Sequence, residues 1–214
     1  MATSTFEKEI YLREKAADIL AEDLENNEVV KDKEAKHLKV MALNQLIKEA
    51  NNEHTFAKIL NFKNSIKDIE YFIKHKAVEK EKDDISRTFL VFNNSGDILG
   101  YYTLTVICLF FDEKISKERR KQIYGITDDV DSMPVMTIAQ FGVNIDFKEQ
   151  INRRTLLDLV VSMLKEAQSM IGGNFCFVEI VPEDKNAVEI CLQSDFKVLQ
   201  TDSLDGCLLM YMKL

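Results

Sequence analysis

Glycine and proline are scarce: seven Gly and two Pro serve 214 residues. That counts against an all-β sandwich, which needs frequent turns, and against any architecture built on several glycine loops. The four cysteines, Cys108, Cys176, Cys191 and Cys207, show no C-x-x-C spacing and sit among apolar neighbours. They read as reduced, buried thiols rather than a disulfide framework. His37, His54 and His75 are far apart, and none pairs with Cys, Asp or Glu as a metal cluster, so no metal is expected. P-loop, Rossmann and G-x-S-x-G fingerprints are all missing. The longest uncharged stretch, Ile98 to Phe111, is too short to span a bilayer, and Met1 to Glu9 is already charged, unlike a secretory leader. Positive charge is also in deficit. A net charge of −8 and a pI near 5.1 argue against non-specific binding to nucleic acid or anionic membranes, while leaving room for a local basic groove. A soluble, cytoplasmic protein is expected.

What is present is a globular composition, 46% hydrophobic and 30% charged, in a chain long enough to bury a full core. The first 83 residues read as helix. Phe6, Ile10, Ala17, Leu20 and Leu24 recur at helical steps, and Leu38, Ala42, Leu46 and Ala50 repeat the pattern after a turn at Asn26-Asn27-Glu28. A third helix starts near Asn64-Ser65, either of which can cap it, and runs to Ala77. The charged run Glu79 to Asp84 reads as a solvated link. From Ser86 the texture turns to β. Thr88–Phe92 and Ile98–Phe111 flank Asn93-Asn94-Ser95-Gly96-Asp97, a hairpin signal. A short basic helix follows over Lys114 to Tyr124, then a strand over Val135 to Ile145, and an amphipathic helix from about Asn152 to Met170 stopped by Gly172-Gly173. Phe175–Val181 reads as strand, Asp184–Ser194 as helix, and Lys197–Gln200 and Cys207–Lys213 as closing strands. The order implies a mixed α/β sheet with a strand–helix–strand crossover in its second half. Residues 1–55 form a helical extension and residues 56–214 the main domain.

Three stretches of that domain resemble the GNAT superfamily of acyl-CoA N-acyltransferases, in particular the subgroup whose members are toxins of toxin–antitoxin pairs. They are Ile85–Val91 with Gly100–Leu104, which is similar to the subgroup's opening hairpin; Met133–Asn144, similar to its "P-V … L-A-V-D" strand; and Asn186–Phe196, similar to its "A-x-x-L-Y-x-x-x-G-F" helix. The resemblance implies a GNAT-like fold binding acetyl-CoA as co-substrate. The backbone of Phe141, Gly142 and Val143 would face the pantetheine arm, and the pyrophosphate would lie at the start of the next helix. The acceptor is a primary amine, commonly the α-amino group of aminoacyl-tRNA in this subgroup. Partners implied are that acceptor and either an antitoxin-like protein or a second copy docking on the N-terminal helices, whose stripes can equally pack on the domain itself. The alternative function is a GNAT-fold binding or regulatory protein without catalysis.

Two departures bear on activity. The phosphate loop, Q/R-x-x-G-x-G in the family, reads Lys148-Glu149-Gln150-Ile151-Asn152-Arg153. Lys148 keeps the cation, while both glycines are replaced, and Arg153 and Arg154 are candidates to bind phosphate through side chains. The family's tyrosine, which protonates the leaving thiolate, aligns with Cys191. A thiol can do that work, or Cys191 is a small core residue. Tyr101, Tyr102 and Tyr124 are other phenols, and Asp195 replaces the glycine before Phe196. The Arg119-Arg120-Lys121 cluster reads as an exposed helix face or a contact for RNA or CoA phosphate.

Overall fold

The Asn93–Asp97 segment closes the hairpin that its composition suggests. Gly96 takes φ +75°, and the Asn93 side chain accepts the Asp97 amide at 2.8 Å. Strands β2 (Arg87–Phe92) and β3 (Ile98–Phe110) leave it as an antiparallel pair. The computed structural model describes residues 38–48, 53–110, 132–181, 183–201 and 206–214, with positions 116, 118, 120 and 121 between. Around the hairpin it builds a seven-stranded sheet from β1 (Lys39–Ala42), β4 (Ser132–Val143), β5 (Phe175–Ile180), β6 (Lys197–Thr201) and β7 (Leu208–Lys213). The order is β1-β2-β3-β4-β5-β7-β6, and every neighbouring pair is antiparallel except β4–β5. The helices are α1 (Leu43–Lys48), α2 (Glu53–Leu60), α3 (Lys67–His75), α4 (Ala77–Lys82), α5 (Arg153–Ile171), which makes the crossover from β4 to β5, and α6 (Lys185–Gln193). Among the described residues no helix is long and apolar enough to cross a membrane.

Because strand side chains alternate, consecutive residues supply opposite faces of the sheet. Tyr101 packs edge-on to Phe62 at 5.3 Å in the core under α1–α4, with Leu43, Ile69, Ile73 and Leu90. Tyr102 stacks on Phe89 at 5.1 Å in the other core, where Leu156, Leu157, Val160 and Leu164 of α5 cover Leu99, Val143 and Val178. α3 and α5 both come close to the sheet at the same place. A Cβ on Gly142 would lie 2.4 Å from Ile69 Cγ2, and one on Gly100 would lie 3.0 Å from the Gly142 carbonyl oxygen and 3.4 Å from a Leu156 methyl.

Several expectations change. Leu38–Ala42 does not continue a helix: Lys39–Ala42 form β1, paired with Phe89–Phe92, and the helix begins only at Leu43. A four-residue apolar run fits either period, and the free edge of β2 decides it. Residues 39–48 are therefore built into the same sheet and core as the domain that follows. The charged run is solvated at Glu79, Lys82, Asp83 and Asp84, but it is more than a link. It is largely α4, and the Glu81 side chain is only 1% exposed. The helices expected before Lys39, the turn at Asn26-Asn27-Glu28 and most of the basic helix at 114–124 lie outside the described residues.

Candidate active site

The parallel pair at the centre of the sheet is short. β4 and β5 meet only at Met136–Cys176, Thr137–Phe177 and Ile138–Val178, after which β5 continues along β7 and β4 along β3. Beyond Ile138 the two strands splay. The Asn144 N–H donates to the Leu99 carbonyl at 2.7 Å, which fixes the alternation of the ladder. Gly142, two residues back, also faces β3, opposite Tyr101. Phe141 and Val143 direct their N–H and C=O groups to the open side. Of the three residues expected along the arm, Phe141 and Val143 thus offer backbone there, while Gly142 makes room for Ile69 on the α3 face.

A slot of about 110 Å³ fills the split, walled by Ile138–Phe141 of β4, Val178–Val181 beyond the β5 pairing, and Ile66, Asp68 and Ile69 of the α3 entry. It shares Ile66 and Asp184 with a larger cavity of about 550 Å³ at the starts of α5 and α6. Lys148, Arg153, Arg154 and Lys185 line this larger cavity beside Asn64, Asn152 and Asn186.

The start of α5 carries its own side-chain cap. Asn152 caps it by accepting the Thr155 N–H at 2.8 Å, and Ile151 is buried at 4% exposure in the same core as Leu156, the arrangement of a hydrophobic staple. Ile151 therefore stands at the position of the family's glycine as a packing residue, although it also lines the larger cavity. Arg153 and Arg154, expected to reach phosphate, have other partners. Arg153 forms a two-pronged ion pair with Asp184, Nη1–Oδ1 2.5 Å and Nη2–Oδ2 2.6 Å, and its guanidinium stands 5.6 Å from the Phe141 ring centre. Arg154 donates from Nη1 to the Gln193 carbonyl at 2.9 Å and from Nε to Asp158 at 3.3 Å. Lys148 is exposed on the rim, and among the described residues it has no ion-pair partner.

Cys191, aligned with the family's acid, lies in the core. It is fully buried, lines neither cavity, and burial pushes its thiol to about 12, with Cys176 nearby adding to the rise. Such a thiol is a poor proton donor to a departing thiolate. Among the described tyrosines none lines either cavity. Tyr102 is buried and raised to about 12, again chiefly by burial, and Tyr101 donates its hydroxyl to the Ile69 carbonyl at 2.6 Å. Tyr124 lies outside the described residues. Asp195 does adopt φ +66°, the conformation for which the family uses glycine there.

Two residues of the site were not anticipated. Asn64 does not cap α3. Its Nδ2 donates to the Val143 carbonyl at 2.9 Å, on the open edge of β4, while its Oδ1 accepts the Ile66 N–H at 2.8 Å. The Lys63 carbonyl accepts the Ile145 N–H at 3.0 Å, so the 63–64 segment lies along the end of that edge. Asp184 is legible as the cap of α6, accepting the Ala187 N–H at 3.2 Å, but nothing in the sequence signals its pairing with Arg153.

A mixed sheet split at its one parallel pair, with the crossover helix starting at the mouth of the split, is the GNAT-like fold. Solved structures that share it include those of the AtaT toxin. AtaT complexed with acetyl-methionyl-tRNAfMet superposes with a TM-score of 0.60 at 19% identity, over 80% of this chain and 93% of that one. AtaTR bound with AcCoA gives 0.55 at 17% identity, over 80% and 91%. The KacTA–DNA complex gives 0.53 at 19% identity, over 80% and 91%. No family model matches the sequence, and no curated protein matches it.

Proposed function

We propose that the chain binds an acyl-CoA, with acetyl-CoA the expected donor, along the split between β4 and β5 and transfers the acyl group to a primary amine. The observation that carries this reading is the open edge of β4, where Phe141 turns its backbone groups into a slot that an extended arm can enter as an added strand. The acyl-CoA would bring an activated thioester. The chain's own part is to pair with the arm through Phe141 and Val143, to surround it with Ile138, Val178 and Ile180, and to meet phosphate with Lys148, Lys185 and the first amides of α5. For Val143 to take part, its carbonyl must exchange the Asn64 amide for the arm. The AtaT complex with acetyl-methionyl-tRNAfMet supports aminoacyl-tRNA as the acceptor class, and AtaTR bound with AcCoA supports acetyl-CoA as the donor. The AtaR-bound AtaT toxin supports an antitoxin-like partner.

Thermal unfolding with and without acetyl-CoA tests the reading. At about 100 times its dissociation constant the ligand should stabilise the native state by about 2.7 kcal/mol. An unchanged melting curve at millimolar acetyl-CoA overturns it. A second reading, a binding or regulatory protein without catalysis, is favoured by the burial of Cys191 and the absence of a described tyrosine at either cavity. Binding of acetyl-CoA with no transfer of labelled acetyl to aminoacyl-tRNA or to small amines would select it.

A further inference from the structure

We infer that Asp184 sets the cleft's affinity for phosphate, by holding the Arg153 guanidinium that an incoming phosphate would otherwise take. This rests on the acyl-CoA reading above. Arg153 is the first residue of α5, where the helix dipole disfavours a cation. The Asp184 carboxylate compensates, gripping both terminal nitrogens at 2.5 and 2.6 Å in a pair whose side chains are 15% and 9% exposed. The same carboxylate caps α6 and lines both cavities, so the pair stands where the slot opens into the larger cavity.

Carboxylate and phosphate present the same spaced pair of oxygens to a guanidinium, so the two are alternatives for one fork. With Arg153 gripped by Asp184 and Arg154 by Asp158 and the Gln193 carbonyl, the cavity's arginines are both committed. Lys148 and Lys185 are its cations without an ion-pair partner among the described residues. A phosphate that takes Arg153 must first separate a well-made pair and leave a nearly buried carboxylate behind, so the wild-type chain gains little from that arginine. Removing the charge at position 184 removes the competitor.

Calorimetric titration of the full chain tests this with three probes: acetyl-CoA, S-acetylpantetheine, which has no phosphate, and inorganic pyrophosphate. Asp184→Asn keeps a capping side chain on α6, and Asp184→Ser serves if the first variant does not melt cooperatively. The neutral variant should bind acetyl-CoA about tenfold tighter, the scale of one charge-assisted pair, with S-acetylpantetheine unchanged. Adding Arg153→Ala to it should erase the gain. Equal or weaker acetyl-CoA binding by a cooperatively folded variant overturns the inference, as does a gain that survives Arg153→Ala. If neither chain binds acetyl-CoA, the acyl-CoA reading fails. The competition is then read from pyrophosphate alone: tighter binding by the variant upholds it and equal binding overturns it.

Discussion

Glu81 shows how a residue's surroundings override its type. Its carboxyl lies under the start of β2, where Oε2 accepts the Thr88 N–H at 2.7 Å and Arg87 Nη1 stands 3.5 Å from Oε1. Burial raises it above the ordinary 4.5, against the lowering by the Thr88 amide and Arg87. In the window between the ordinary and the raised value the native state keeps a proton that the unfolded chain has released. Stability from this group therefore falls as pH rises through that window. Glu81→Gln should remove this contribution, so that melting temperatures of variant and wild type, measured from about pH 4 to about pH 7, diverge in the variant's favour as pH rises. Parallel curves would show that Glu81 ionises as it does in the unfolded chain. In the sequence, Glu81 sits in a charged run and nothing marks it as buried. Burial of one acid among six charges is decided by which way a short helix is turned, and only tertiary packing sets that. Cys191 was more legible, since a small residue on the apolar side of α6 reads as core, and the structure agrees with that side of the alternative.

The elements legible in the sequence are those whose signals are local. The β2–β3 hairpin follows from Gly96 and its Asn neighbours, the end of α5 from Gly172 at φ +78° and Gly173 at φ +99°, and the start of α6 from Asp184. β1 is not legible because its conformation depends on a partner 50 residues away in sequence, which also moves the start of α1 back to Leu43. Leu43 and Leu46 of α1 are buried at 0% and 5% exposure against β2 and α4. Leu43→Ala should therefore cost about 3 kcal/mol, as for a fully buried leucine that leaves a cavity. Denaturant unfolding measures it, and a loss below about 0.5 kcal/mol, the level of a surface substitution, would mean that α1 is not part of the core. The cavity at the start of α5 was legible in its cations but not in their pairing. Lys148, Arg153 and Arg154 are visible as charges in the sequence, whereas the acids that take two of them, Asp184 and Asp158, lie on another element or one helical turn further along.

Across the whole molecule, the sheet has a seam. Three residue pairs join β4 to β5, compared with eleven between β3 and β4 and six between β5 and β7. The α5 crossover and the Arg153–Asp184 pair are further ties across it. Native-state hydrogen exchange should find the β5–β7 amides opening at lower free energy than those of β2 and β3, as one cooperative unit. Acetyl-CoA lying in the split should close that difference. Uniform exchange over all the strands would show that the seam does not open by itself. The fold class was readable from the order of elements because a strand–helix–strand crossover between hairpins admits few topologies. The splay at Ile138 was not, since it depends on how two strands diverge in space and leaves no trace in their composition.

A side chain at residue 142 would begin 2.4 Å from the Ile69 methyl and 3.0 Å from Asn64 Nδ2, so position 142 cannot enlarge alone. Whatever chemistry the cleft performs, a lineage can enlarge residue 142 only after residue 69 has shrunk. Descendants of this chain should therefore carry the two changes together, as a joint signature of how tightly α3 is laid across the floor of the split.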